Sequence, residues 1–461
     1  MKIKGVFIGI MSLILLNCST KKDHSNGQTS FFDTLKSVAS ENKSLSGKQL
    51  SQAICGSCHI FPEPGLLDKK TWKNGVLPHM ALRLGFISFD NNPYAKLSSQ
   101  EKEAVIKANV FPHQPVIDSA AWDKIVQYYE SEAPSKALAQ DEKPVVQLIL
   151  TEFTINPVSI PHTQYPLVTL LEYDDQNNHW YVGDRQSNLY RLNQQFQLLD
   201  SIKLDSPPAS IGFSSDRQLL VLTMGEMDPN DKNLGTIVSF DTSFKQTSTI
   251  VQKLTRPVHF LITDINADGI EDKIVCEFGN YTGRLTWFEG SKDKQYKEHI
   301  LKQTPGTRKT VVSDINQDGL PDIVCLMSQG NEGIFAFINL DKGKFSELPL
   351  LRFPPVYGSS DFELVDFNQD GYMDILYTNG DNADFSYSLK KYHGVRIFIN
   401  NGKNKFEEKW FYPMHGATKA MAADFDQDGD LDVSAIAFFP NFTNAYEEGF
   451  IYFENTGNFT F

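Results

Sequence analysis

The sequence predicts a small all-α domain followed by an all-β propeller of about six to seven blades, and three observations carry that prediction. A nine-residue pattern recurs four times, starting at Asp264, Asp314, Asp366 and Asp424 with spacings of 50, 52 and 58 residues, which suits one repeat per propeller blade. Short β-branched and apolar runs flank the recurrences, such as Phe260-Leu261-Ile262 before the first and Ile274-Val275-Cys276 after it, and they read as strand, loop, strand. Residues 46 to 136 carry no such repeat and instead space their apolar residues as helices do. At 461 residues and 41% hydrophobic content the chain has material for more than one core.

The chain opens with Lys2 and Lys4 ahead of an apolar run from Val6 to Leu16 that is too short to span a bilayer, so residues 1–17 read as an export signal. The run ends in Leu15-Leu16-Asn17-Cys18, which resembles the lipobox of bacterial lipoproteins, with Asn17 where Gly, Ala or Ser is usual. That resemblance implies that Cys18 carries the lipid. Residues 18–45, rich in Ser, Lys, Asn and Gly, read as a flexible tether. The expected location is exported and lipid-anchored, on the periplasmic side or the cell surface at the outer membrane, with the anchor as the sole membrane contact.

Residues 51–60 read SQAICGSCHI, and Cys55-x-x-Cys58-His59 is the pattern by which two thiols bind one covalent haem c while the adjacent imidazole binds its iron. A zinc or thioredoxin-like reading needs a second Cys pair or a βαβ context, and neither is present. Met80 is the one methionine between residues 46 and 140 and is the expected sixth ligand, with His79 and His113 as rivals; a thioether ligand raises the iron potential and suits electron transfer. Leu50, Ala53 and Ile54 precede the motif on a helical spacing. Asp118 caps a second segment in which Trp122, Ile125, Val126 and Tyr129 form an apolar stripe. Two such helices flanking a haem resemble the class I cytochrome c plan, placed here at 46–136, with a linker at 137–150 and the propeller at 151–461.

The four repeats are DINADGIED, DINQDGLPD, DFNQDGYMD and DFDQDGDLD. Oxygen side chains at positions 1, 3, 5 and 9, a glycine at 6 for a sharp turn and a backbone carbonyl at 7 form a spacing that wraps a loop around Ca²⁺. An EF-hand would need a Glu at position 12, where Val275, Cys325, Tyr377 and Ala435 stand instead. The arrangement resembles the FG-GAP or VCBS repeat family, whose blades carry a calcium loop between their first two strands. That resemblance implies up to four Ca²⁺ ions. The first would be held by Asp264, Asn266, Asp268, Ile270 and Asp272, and the second by Asp314, Asn316, Asp318, Leu320 and Asp322. The third would take Asp366, Asn368, Asp370, Tyr372 and Asp374, and the fourth Asp424, Asp426, Asp428, Asp430 and Asp432. Upstream, strand clusters from 167 to 250 supply two more blades without such loops. The last blade is short, and either Val145 to Ile155 closes the ring or a blade is missing. Lipobox, CGSCH and repeats together resemble cytochrome–propeller lipoproteins of Bacteroidetes-like bacteria.

With 57 acidic against 43 basic residues and a net charge of −14, the chain is a poor partner for nucleic acid and a better one for cations. The expected function is haem c electron transfer, with the calcium-stabilised propeller as a docking or ligand-binding module for a redox partner protein. Two alternatives stand: a haem-linked dehydrogenase acting on a carbohydrate or other polar small molecule, and a glycan-binding or adhesion propeller. Whether the chain is an enzyme is left open, because no hydrolase, protease, phosphate-loop or dinucleotide motif is present. Candidate catalytic residues come from the long polar loop in the third repeat: His393 as proton acceptor, with Lys390 and Asp384 beside it. Cys276 and Cys325 read as small buried hydrophobes, with a disulfide as the alternative.

Overall fold

The computed structural model describes residues 44–148, 150, 152–156, 158, 160, 167–382 and 388–461; Cys18 and Asp384 lie outside them. It divides into two compact units, one comprising residues up to Lys96 with Phe111–Leu138, the other Leu97–Val110 with Ala139–Phe461. No helix among the described residues is long and apolar enough to cross a membrane.

The first unit is helical. Helix α1 (Gly47–Ile54) starts with a capping box in which Ser46 and Gln49 each satisfy the other's backbone N–H. A short α2 (Lys69–Thr71) runs through a π turn at Trp72–Val76 into α3 (Leu77–Arg83). The last helix in this unit, Ser119–Glu132, starts at Asp118, whose carboxylate accepts the Ala121 N–H at 2.7 Å, and buries Ala121, Ile125 and Tyr129. Trp122 and Val126, expected on the same stripe, flank it half-buried, and Trp122 stacks on Phe86 at 5.8 Å. Trp72 is buried, donates to the Pro64 carbonyl at 2.8 Å and packs on Tyr129 at 4.5 Å between ring centroids. The first and last helices cross at Gly47, where a Cβ would stand 2.2 Å from the Lys124 carbonyl oxygen and 2.8 Å from the Tyr128 Cβ. Only a residue without a side chain permits that approach.

In the second unit the described strands form six antiparallel sheets, each a meander in chain order, and together they build a six-bladed β-propeller. Blade one holds β1 (Val168–Asp174), β2 (His179–Asp184), β3 (Asn188–Leu192) and β4 (Leu198–Lys203). Blade two holds β5 (Pro208–Phe213), β6 (Leu219–Thr223), β7 (Gly235–Phe240) and β8 (Gln246–Leu254). Blade three holds β9 (Pro257–Thr263), β10 (Asp272–Glu277), β11 (Arg284–Gly290) and β12 (Tyr296–Lys302). Blade four holds β13 (Thr307–Ser313), β14 (Asp322–Met327), β15 (Gly333–Asp341) and β16 (Lys344–Arg352). Blade five holds β17 (Ser359–Val365), β18 (Asp374–Asn379), β19 (Gly394–Asn400) and β20 (Phe406–Pro413), and blade six β21 (Ala417–Ala423), β22 (Asp432–Ala437) and β23 (Phe450–Phe453).

Every residue of β10, β14 and β18 is buried, which explains their near-continuous apolar sequence: neighbouring blades cover both faces of these strands. Blade six has three strands among the described residues, and the described residues of Val145–Ile155 contribute none. That segment instead lays side chains on the blade: Val146 packs on its core, and the Phe153 ring meets Phe425, Phe450 and Tyr452 at 5.2–5.7 Å. Phe459 and Phe461 pack on the same core.

The helix Ser99–Lys107 groups with the propeller unit although its sequence lies between the other helices. Glu101, itself buried, accepts from Ser98 at its own N-terminus and from the Asp231 backbone N–H at 3.0 Å. The Asp231 carboxylate in turn accepts the N–H groups of Asn280, Tyr281 and Thr282 at 2.8–2.9 Å.

Replacing Gly47 with Val is expected to separate the crossing helices and destabilise the helical unit by about 1–3 kcal/mol. Thermal unfolding followed by far-UV circular dichroism, resolving the helical from the β transition, checks this; an unshifted helical transition would show that the crossing is looser than described.

Candidate functional site

The four repeat loops connect the first and second strands of blades three to six and share one backbone path. Position 4 takes positive φ in each (Ala267 58°, Gln317 59°, Gln369 55°, Gln427 65°) and the glycine at position 6 follows at 82–102°. No neighbour lies within 4 Å of a Cβ built on those glycines, so left-handed φ and not crowding selects them. The Asp at position 1 accepts the N–H groups of positions 5 and 6; in the first loop these are Asp268 at 3.1 Å and Gly269 at 2.8 Å on the two oxygens of Asp264. The position-5 Asp accepts the N–H of position 7, which tightens the curl of the loop.

The Asp at position 9 is the first residue of the second strand and is fully buried in all four blades. One oxygen of Asp272, Asp322, Asp374 and Asp432 accepts the N–H of position 2 at 3.0–3.2 Å. The other accepts a backbone N–H within two residues of the end of the third strand, from Gly290, Asn339, Asn400 and Asn455, at 2.7–2.8 Å. Burial raises the carboxyl groups of Asp272, Asp322 and Asp374, the last to about 6, against the pull of those backbone bonds.

Carboxylate oxygens of Asp424, Asp426 and Asp432 lie within 4.8 Å of one another, the one such cluster of three among the described residues. Desolvation and the neighbouring aspartates raise Asp426 and Asp430, and Asp430 Oδ1 is buried without a hydrogen-bond partner. Crowded like charges and an orphaned oxygen are features that a divalent cation could relieve. In the other three loops Asn266, Asn316 and Asn368 replace one carboxylate and donate to the position-5 Asp at 2.9–3.2 Å.

In the helical unit, Cys55 and Cys58 follow the end of α1, Cys55 partly buried and Cys58 exposed. Burial pushes the Cys55 thiol up to about 12, partly offset by the Tyr129 hydroxyl. His59 Nδ1 donates to the Ile60 carbonyl at 2.9 Å, which puts the ring proton on Nδ1 and makes Nε2 the lone-pair nitrogen. Met80 lies half-buried on α3, while His79 and His113 are exposed.

His393 sits immediately before β19 and is 1% exposed; burial, then Lys390 and His415, hold it well below the usual histidine range. Lys390 donates to Asn382 Oδ1 at 2.7 Å. Sequence reasoning missed a neighbouring group. Burial brings His415 down to about 4, and Lys143 bridges Glu448 at 2.5 Å and the Pro413 carbonyl at 2.8 Å. His393 Nε2, His415 Nδ1 and Glu448 Oε2 are buried without hydrogen-bond partners. These residues come from four separate stretches of chain, so no local pattern announces them.

Residues 264–325 and 314–377 match the FG-GAP-like repeat family. The chain carries FG-GAP-like repeats. The matched spans hold the first three loops; the fourth, at Asp424, lies beyond them and repeats their geometry. A T-cell immunomodulatory protein homolog of Plasmodium falciparum (isolate 3D7) is 29% identical over 143 residues, which cover 27% of this chain and 18% of that protein. The chain therefore matches less than a fifth of that relative's length. Among solved structures, the Dos1 propeller aligns over 59% of this chain and 66% of its own at a TM-score of 0.39 and 10% identity. The Neurospora crassa Pan2 WD40 domain aligns over 60% and 75% at 0.40 and 9% identity.

Asp374 supplies a test of the position-9 bridge. Its raised value means that the folded state holds the proton more tightly than the unfolded chain, so its contribution is present below pH 4 and is lost as pH rises through about 6. With chelator present, the melting temperature of Asp374→Asn relative to the parent is expected to improve between pH 5 and pH 7.5. A difference that stays constant with pH would mean that this carboxyl does not titrate in that window.

Proposed function

We propose that this chain is an exported, lipid-anchored haem c electron-transfer protein whose FG-GAP-repeat propeller is a calcium-stabilised docking or ligand-binding module. The observation that carries the reading is the Cys55, Cys58, His59 set at the end of a capped helix, with the His59 ring oriented by its Nδ1 bond to a carbonyl. Ligating histidines are commonly held this way, because the second-shell acceptor selects the tautomer and raises the basicity of Nε2. Cys55 and Cys58 would hold the porphyrin through thioether links, and His59 Nε2 and Met80 would bind the iron. A haem bound there would provide reversible one-electron exchange. Burial of Cys55 against Tyr129, whose ring packs on Trp72, supports this reading, as does the Gly47 crossing of the flanking helices.

The propeller contributes rigidity to this reading. Four loops of one backbone path, with buried position-9 anchors, would hold up to four Ca²⁺ ions through the residues at positions 1, 3, 5, 7 and 9. Of these, the fourth loop, with Asp424, Asp426, Asp428 and Asp432, has the highest charge and would bind most tightly. A redox partner protein is the expected occupant of the docking surface.

Two measurements test the proposal. Expressed with a cytochrome c maturation system, the protein should carry haem that survives denaturing electrophoresis, and Cys55→Ala with Cys58→Ala should lose it; Met80→Ala should keep covalent haem and show a lower midpoint potential. An unchanged potential would pass the axial role to His79 or His113. Separately, at free calcium a hundredfold above Kd each site should stabilise the propeller by about 2.7 kcal/mol, so chelation should lower its melting temperature and Asp428→Ala should lose part of that response. A melting curve indifferent to chelator and to added calcium removes the metal from the account.

A further inference from the structure

Cys276 and Cys325 lie in the second strands of adjacent blades, but one position out of phase: fifth in β10 and fourth in β14. Because strand side chains alternate between faces, that offset turns the two thiols toward each other across the interface between blades three and four. The packing bears this out. Ile274 and Cys276 share one core with Ile323, Cys325 and Met327, whereas Val275 packs on blade two and Val324 on blade five. Both thiols are free and fully buried, and each perturbs the proton affinity of the other. Thr310, the cross-strand partner of Cys325, places its hydroxyl 3.9 Å from Cys276 Sγ, and His259, the cross-strand partner of Cys276, reaches that hydroxyl at 3.3 Å.

We propose that Cys276 and Cys325 are the two halves of a disulfide that staples blade three to blade four. Facing sheets about 10 Å apart can be bridged in this way, as the inter-sheet disulfide of immunoglobulin domains shows. In forming the bond each thiol gives up a proton and an electron, one S–S bond is made, and the two electrons and two protons reduce a disulfide-bearing oxidant to its dithiol. Full burial sets the timing: exchange requires an accessible sulfur, so the bond forms while the blades assemble and is shielded from reductant once they close. The cross-link ties residues far apart in the chain, and its loss of unfolded-state entropy stabilises the propeller against opening between these blades. An oxidising compartment would come from the export proposed above; the pairing is tested without it.

The full chain, refolded with oxidised glutathione as disulfide donor or kept fully reduced, is alkylated after denaturation and digested without reduction. The expected result is a linked peptide pair containing Cys276 and Cys325, present only after oxidative refolding, with a propeller transition several degrees above that of the reduced protein. Cys276→Ala and Cys325→Ala should each abolish that difference, and the peptide map of the parent chain decides the matter if either variant fails to fold. Both cysteines recovered alkylated from oxidatively refolded, folded protein, or linked instead to Cys55 or Cys58, overturns the pairing. A linked pair in vitro with reduced thiols in protein isolated from cells upholds the pairing and counts against export.

Discussion

The propeller depends on one repeated interaction: a fully buried aspartate at the head of the second strand that accepts one backbone N–H from the loop before it and another from the far end of the third strand. Each bond satisfies a donor that would otherwise be buried unpaired, at a cost of about 1–3 kcal/mol. Together they set where the loop begins, where the third strand ends and how the two are joined. The first four loop positions can then curl without losing their anchor, and the remaining carboxylates are brought together as a consequence.

That arrangement carries an electrostatic penalty. Placing three to five acidic side chains around one loop and burying one of them raises proton affinities there, as Asp374 and Asp426 show. Two means of relief are present. In three loops an asparagine replaces one carboxylate and donates to its neighbour. In the fourth, where Asp426 stands instead, Asp432 accepts the Tyr452 hydroxyl at 2.8 Å and the like charges remain crowded. The fourth loop therefore has the weakest internal compensation of the four.

The helical unit answers to a different constraint, the close approach of its first and last helices at Gly47. With no side chain at that position, the backbone of one helix rests on the other, and Tyr129 is brought against Trp72 and the Cys55 thiol. The thiol pair and His59 are thus placed by helix packing as well as by their own spacing. The grouping of Ser99–Lys107 with the propeller follows from long-range bonds, Glu101 to Asp231 and Asp231 to residues 280–282, none of which has a local signature.

By itself the sequence determined the features whose physics is local: the nine-residue loops, whose glycine and carboxylate spacing dictates one backbone path; the strand pairs around them; the two upstream blades; and the Cys-x-x-Cys-His set. It also located the first helix through its apolar spacing and the last through its Asp118 cap and apolar stripe, although Trp122 and Val126 turned out to flank the buried line. Only the tertiary structure decided what depends on distant chain segments meeting. It showed that position 9 reaches the third strand, that Val145–Ile155 covers blade six with side chains and forms no strand among its described residues, and that His393, His415 and Glu448 share buried surroundings. It likewise showed that Cys276 and Cys325 face each other. A thiol in an apolar strand looks the same in sequence whichever face it occupies, and its partner is chosen by how two blades pack.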